Sequence, residues 1–192
     1  MKHLIHFLAA LLAASSLHAQ APFQIGLESA PGIMRFGSGD LTGAALRSEL
    51  IVPLSRHLRL LPGLSLAEGG RTGPDLWEFR HVSAATADAH LQWLPFSFSP
   101  RHELSLLGGG SLRAHRYEYA TGYSTFIDQN GQLLRVYDLP AMEREVSAGW
   151  SAGLQYQYVA GRFHIGPRAL LQSYLNGDLN VSLWMTAGIR LY

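Results

Sequence analysis

Apolar and polar residues alternate along most of this chain. In 77–93, Trp77, Phe79, His81, Ser83, Ala85, Ala87, Ala89, Leu91 and Trp93 hold one parity, while Glu78, Arg80, Val82, Ala84, Thr86, Asp88, His90 and Gln92 hold the other. Successive side chains of a β-strand point to opposite faces, so this reads as a strand with one greasy and one polar face. The pattern returns in 103–119, where Leu104, Leu106, Leu112 and Ala114 oppose Glu103, Ser105, Ser111, Arg113 and His115. It returns again in 145–158, where Val146, Ala148, Trp150, Ala152, Leu154, Tyr156 and Tyr158 oppose serines, glycines and glutamines. An ordinary globular strand has roughly 5–6 residues, whereas a tilted membrane-spanning strand needs roughly 9–11. Length favours a membrane barrel over a sandwich.

Turn signals divide the chain into eight such segments, 23–36, 42–54, 58–68, 77–94, 102–120, 143–159, 162–175 and 179–192. The connections 55–57, 95–100 and 160–161 are short, and 69–75 and 121–142 are longer. An even strand number with short periplasmic turns and longer outer loops is the layout of a bacterial outer-membrane barrel, and it puts both termini in the periplasm. Inside the longest connection, Asn130-Gly131 between 123–127 and 133–137 predicts a hairpin standing above the membrane. Pro167 falls within a strand that needs its N–H, which predicts a bulge.

Phe23, Trp93, Tyr156, Tyr158 and Phe163 share the apolar parity at the periplasmic strand ends, as an aromatic girdle would. The polar parity carries Glu28, Arg47, Glu49, Arg59, Glu78, Arg80, Asp88, Glu103, Arg113, Glu145, Arg168 and Arg190. An eight-stranded barrel is just wide enough for side chains to fill, so these acids and arginines are expected to pair and plug the lumen.

With 192 residues and 47% hydrophobic and 15% charged composition, one domain is expected. A formal charge of +1 without a basic run argues against a nucleic-acid partner. The chain has no Cys, which excludes disulfides, thiolate metal sites and cysteine nucleophiles. Residues 1–19 read as a secretory signal: basic Met1-Lys2-His3, an apolar run from Leu4 to Leu12, then Ala13, Ala14, Ser15 and Ser16. Cleavage after Ala19 leaves 20–192 as the barrel domain; a cut after Ala21 would place Pro22 at the scissile bond. The apolar run is too short for a spanning helix, which wants about 20 residues.

The C-terminal Thr186-Ala187-Gly188-Ile189-Arg190-Leu191-Tyr192 looks like the signal read by the barrel-assembly machinery. With the strand count, it makes the chain resemble the small outer-membrane β-barrel family, typified by the eight-stranded OmpA- and OmpX-like proteins. The resemblance covers nearly the whole mature chain as pattern and turn placement. It implies an all-β, eight-stranded antiparallel up-and-down transmembrane barrel in outer-membrane lipid, monomeric, with no cofactor. Tyr192 shares its parity with Arg190, Gly188, Thr186 and Trp184, while Leu191, Ile189, Ala187, Met185 and Leu183 are greasier, so the facing of the last strand stays open.

Barrels of this size also include lipid-modifying enzymes. His81 and Ser83 have the lipid-facing parity, and ten residues above Trp93 at ~3.3 Å and a tilt near ~40° put Ser83 about 25 Å higher, at the outer interface. Glu118 lies roughly across from them on the next strand, which makes a catalytic Ser/His/Glu set geometrically possible. His81-Val82-Ser83 resembles the His-x-Ser motif of the outer-membrane lipid A 3-O-deacylases, although theirs lies on a later strand and is followed by Asn rather than Ala84. His90, His115 and Asp88 share the lumen parity and read as internal pairing rather than a metal site. Gly108-Gly109-Gly110 has no following helix to make a phosphate loop, and reads as strand glycines easing curvature or neighbouring aromatics. The leading reading is a non-enzymatic barrel with a structural or surface-interaction role. A lipid A acyl hydrolase using His81 and Ser83 is one alternative, and a soluble periplasmic lipocalin-like binder with reversed faces is the other.

Overall fold

The computed structural model describes residues 25–37, 41–71, 80–99, 101–119, 123–127, 129–137 and 141–191. The expected signal 1–19, Phe23, Trp77, Glu78 and Tyr192 lie outside them. Among the described residues ten strands form: β1 (Gly26–Phe36), β2 (Leu41–Pro53), β3 (Leu58–Arg71), β4 (Arg80–Ser99), β5 (His102–Tyr119), β6 (Tyr123–Ile127), β7 (Leu133–Tyr137), β8 (Ala141–Ala160), β9 (Phe163–Tyr174) and β10 (Leu179–Arg190). Eight close an antiparallel barrel in the order β1-β10-β9-β8-β5-β4-β3-β2, and β6 and β7 make a separate two-stranded sheet. This is the expected up-and-down barrel, with the expected hairpin inserted between β5 and β8. Gly131 in that hairpin has φ 78°, which the left-handed turn position requires.

The faces follow parity. Along β9, His164, Gly166, Arg168, Leu170 and Gln172 are buried inward while Phe163, Ile165, Pro167, Ala169 and Leu171 face out. The last strand is settled in the same way: Trp184 and Thr186 are 3% and 0% exposed, whereas Leu183 and Met185 are 54% and 51% exposed. Apolar residues therefore coat the outside and polar ones fill the inside, the reverse of a water-soluble barrel. Trp93, Tyr156, Tyr158 and Phe163 are exposed at the end that carries the short turns, as a girdle should be.

Pro167 does not make the expected bulge. The β8/β9 register is the same before and after it, from Gln155↔Arg168 to Tyr158↔Ile165, with the two intervening pairs missing. Pro31 leaves the same kind of gap between β1 and β10, and Pro62 between β2 and β3, again without a register shift. Each outward proline omits one donor and its ladder opens locally while the alternation is preserved. Register shifts occur instead between Trp93 and Ser99, near the short turn between β4 and β5.

Glycine makes room where strands come closest. A Cβ on Gly166 would stand 1.9 Å from the Tyr156 carbonyl oxygen, and one on Gly32 would stand 2.5 Å from the Trp184 ring. A Cβ on Gly108 meets nothing within 4 Å. Gly166→Ala is therefore expected to lower unfolding free energy by about 1–3 kcal/mol or to prevent folding, while Gly108→Ala changes it by less than about 0.5 kcal/mol. Urea titration followed by heat-modifiable gel migration measures both.

Candidate functional site

Glu28 on β1 and Glu49 on β2 are direct cross-strand partners, and both are only 2% exposed. Two carboxylates placed opposite each other repel, more so away from water. Arg168 reaches across the lumen from β9 and resolves this, one terminal nitrogen on Glu28 and the other on Glu49. It also donates to Gln155 Oε1 at 2.9 Å. Glu28 accepts further from Gln157 at 2.7 Å and lies 2.9 Å from Nε2 of His164. Arg47 extends the layer by donating to Glu49 at 2.7 Å and to Asp88 Oδ2 at 2.8 Å. Nearer the short-turn end, Arg59 and Arg190 both grip Glu103, at 2.9 and 3.1 Å and at 2.9 and 3.0 Å. Towards the other end Arg113 pairs with Asp178 and lies 4.0 Å from the centre of the Tyr174 ring. Of the remaining charges expected inside, Arg80 and Glu145 are exposed near the strand ends.

His90 carries a nucleophile-like constellation that parity alone did not single out. Its Nε2 is 2.7 Å from Ser151 Oγ, and its Nδ1 is 3.5 Å from Asp88 and 3.6 Å from Glu49. Arg47 Nη2 is 3.0 Å from the same Nδ1. Both hydrogens of Arg47 Nη2 go to the closer oxygens of Glu49 and Asp88, so the ring nitrogen faces a guanidinium and two carboxylates at once, with Ser151 on its other side. Glu49, Asp88 and His90 also converge closely enough to bind a cation, but the two carboxylates are already ion-paired with Arg47 and Arg168. His115, the other histidine weighed with Asp88, stands 3.7 Å from Glu145. Above the charged layer the lumen turns apolar, with Met34, Phe36, Leu41, Val82, Leu170 and Trp184 all 3% exposed or less.

The outer wall has a sharp chemical boundary. One row of cross-strand partners, Leu66, Ala85, Ala114 and Val146, is wholly apolar, and the next outward row up is Glu68, Ser83, Arg116 and Arg144. That polar row stands ten residues above Trp93, Leu106 and Leu154, which at ~3.3 Å per residue and a tilt near ~40° is about 25 Å, the height of a membrane barrel's apolar band. His81, Ser83 and Glu118 all lie at or just above the boundary and face outward. His81 and Glu118 are cross-strand partners, and Ser83 is the partner of Glu68 and Arg116. The side chains are joined differently from the expected triad: His81 Nε2 is 2.9 Å from Glu68, and Glu118 pairs with Arg116.

Sequence reasoning passed over Asp178, which lies in a turn, and His164, which follows the last short turn. His164 shares the parity of Arg168, two steps of alternation away, and that was the available signal. Asp178 had none, since a turn residue has no parity.

No protein-family model matches the chain, and no curated protein matches it. Solved structures do. A major outer membrane protein of Thermus thermophilus is 12% identical, covers 89% of this chain and 100% of its own, and superposes with a TM-score of 0.55. Neisserial surface protein A is 12% identical over 88% of this chain and 97% of its own, at 0.49. The attachment invasion locus protein Ail of Yersinia pestis is 14% identical over the same shares, at 0.48. At such an identity the likeness to the Thermus protein shows the fold alone, that of an outer-membrane β-barrel.

Arg168→Leu strips two buried carboxylates of their shared counter-charge and is expected to cost roughly 3–5 kcal/mol of folding free energy. Arg168→Lys, which keeps the charge and loses the fork, should fall in between. The urea midpoints of the refolded proteins give the order, and an unchanged midpoint for Arg168→Leu contradicts the central role given to this residue.

Proposed function

We propose that the chain is a monomeric, non-enzymatic barrel of the bacterial outer membrane, with both termini periplasmic, a lumen plugged by paired side chains, and a surface-interaction role. The observation that carries the membrane reading is the wall itself, an outward apolar band about 25 Å tall ending in one polar row. A soluble lipocalin-like binder needs the opposite faces. The plug rests on Arg168 and Arg47 with their three carboxylates, and on the apolar cluster above them. The barrel-assembly machinery would recognise the C-terminal strand through the pattern noted at Thr186 to Tyr192.

The surface role is supported by unequal strand lengths. β4, β5 and β8 have 20, 18 and 20 residues, against 11 to 13 for β1, β2, β9 and β10. β5 and β8 stay paired up to Tyr119↔Ala141, but β8 meets β9 only from Gly149 onward. Among the described residues, the far edge of 141–147 therefore has no strand partner, and its upper part, 141–143, stands above the polar row. An unpaired edge raised above the apolar band is a place for extended segments to add.

The hydrolase reading keeps one supporting observation, that His81 has a carboxylate partner in Glu68 next to Ser83. Its chemistry predicts loss of lipid A acyl chains on expression, abolished by Ser83→Ala. Under the leading reading lipid A is unchanged by either protein. The protein itself is expected in the detergent-dependent outer-membrane fraction, with heat-modifiable migration and no stepwise conductance in planar bilayers. Recovery in soluble form without detergent ends the membrane reading, and regular conductance steps end the plug.

A further inference from the structure

Arg116 on β5 and Arg144 on β8 are direct cross-strand partners, both exposed on the outer wall in the first polar row above the apolar band. Like charges placed opposite each other on neighbouring strands repel. Within the lumen the same conflict between Glu28 and Glu49 is answered by Arg168. On the outside the answer is half complete: Glu118 pairs with Arg116, but Arg144 has no ion-pair partner among the described residues. The acidic and titratable neighbours are Glu68 and His81, which are bound to each other, with Glu143 and Glu145 on the opposite parity of β8. An anion lying between the two guanidiniums would complete the row.

The wall just below has the shape for an apolar tail. An open groove of about 890 Å³ is lined by Leu66, Ser83, Ala85, Ala114, Arg116 and Arg144 among others, so the cations and the small apolar residues belong to one depression. Further down, the small outward Ala87 and Ala89 of β4 face Leu112 and Gly110 of β5, and Leu91 faces Gly108. Neither glycine is there to relieve a clash. A Cβ on Gly108 would meet nothing within 4 Å and one on Gly110 only the Gly149 carbonyl oxygen at 3.9 Å, whereas one on inward Gly109 would stand 2.1 Å from the Ala89 carbonyl oxygen. Gly110 is the cross-strand partner of Trp150, as the expectation of a neighbouring aromatic had it, yet the space over both outward glycines is open. They leave open space on a surface bathed in lipid.

We propose that this face is a binding site for a phosphorylated, multiply acylated glycolipid of the outer leaflet. Arg144 and the remaining donors of Arg116 take the phosphate, Ser83 offers a hydroxyl beside it, and one acyl chain lies over Ala85, Ala114 and the outward glycines. The proposal rests on the membrane-barrel reading. Charge complementarity selects an anionic headgroup, and the groove beneath selects an acylated one over a free anion.

The test uses the full-length mature protein refolded in dodecyl maltoside, titrated with diphosphorylated lipid A and followed by the temperature at which its compact gel band disappears. The unliganded compact band is read first: its absence ends both this proposal and the membrane-barrel reading. With the band present, the expected result is a rise in that temperature with lipid A and a much smaller one with dephosphorylated lipid A. Arg116→Gln/Arg144→Gln, both exposed, should weaken the lipid A affinity about tenfold or more while leaving the unliganded temperature unchanged. Gly108→Leu/Gly110→Leu, which fills the open space, should weaken it severalfold. A double arginine variant that binds as well as the parent, or an equal rise with inorganic phosphate or phosphatidylglycerol, overturns the proposal while leaving the barrel reading intact.

Discussion

The structure depends on one arginine crossing a narrow lumen. Register places Glu28 directly opposite Glu49. Arg47, on β2 itself, pairs with Glu49, and Arg168, reaching over from β9, holds both acids, one with each terminal nitrogen. The same contact ties β9 to both β1 and β2, so it acts across the barrel where the backbone ladder acts only around it. Arg190 and Arg59, meeting on Glu103, repeat the device between β10, β3 and β5. A barrel in lipid gains little from burying apolar side chains outside, since the surroundings are equally apolar. Its interior polar contacts therefore carry more of the specificity than they would in a water-soluble protein.

Period-two alternation was enough to read eight strands, the facing of all but the last, and the hairpin around Asn130-Gly131, because each depends on local pattern alone. Parity also assigned Glu28, Arg47, Glu49, Asp88 and Arg168 to the inside. It could not say who meets whom, since a partner across the lumen depends on strand order, stagger and side-chain length together. That is why the Glu49–Arg168 pair, 119 positions apart, was invisible, and why Ser151 emerged beside His90 only in three dimensions. Pro167 shows a different limit. A missing donor can be met by shifting the register or by leaving a gap, and only the surrounding strands decide which. Here a shift would have turned every later side chain of β9 to the wrong face.

The candidate chemistry was legible in position but not in wiring. Counting from Trp93 put Ser83 at the edge of the apolar band, and an outward polar row of Glu68, Ser83, Arg116 and Arg144 does stand at that level. Glu118 is indeed the cross-strand neighbour of His81, yet the carboxylate nearest to the imidazole is Glu68, from the strand on the other side. A strand has two neighbours, and sequence gives no preference between them. The outer arginine pair was also legible only as two polar residues near a strand end; its meaning comes from their being opposite one another.

The proline gaps are seams in the ring of backbone hydrogen bonds. They fall on the β1/β10, β2/β3 and β8/β9 ladders and cut the wall into three pieces: β1 with β2, β9 with β10, and β3, β4, β5 and β8 together. Pairing inside each piece is continuous except near the short turn between β4 and β5. The largest piece carries the long strands and the exposed arginines. A load applied to those strands would stay within that piece, and the three seams would be the places to give.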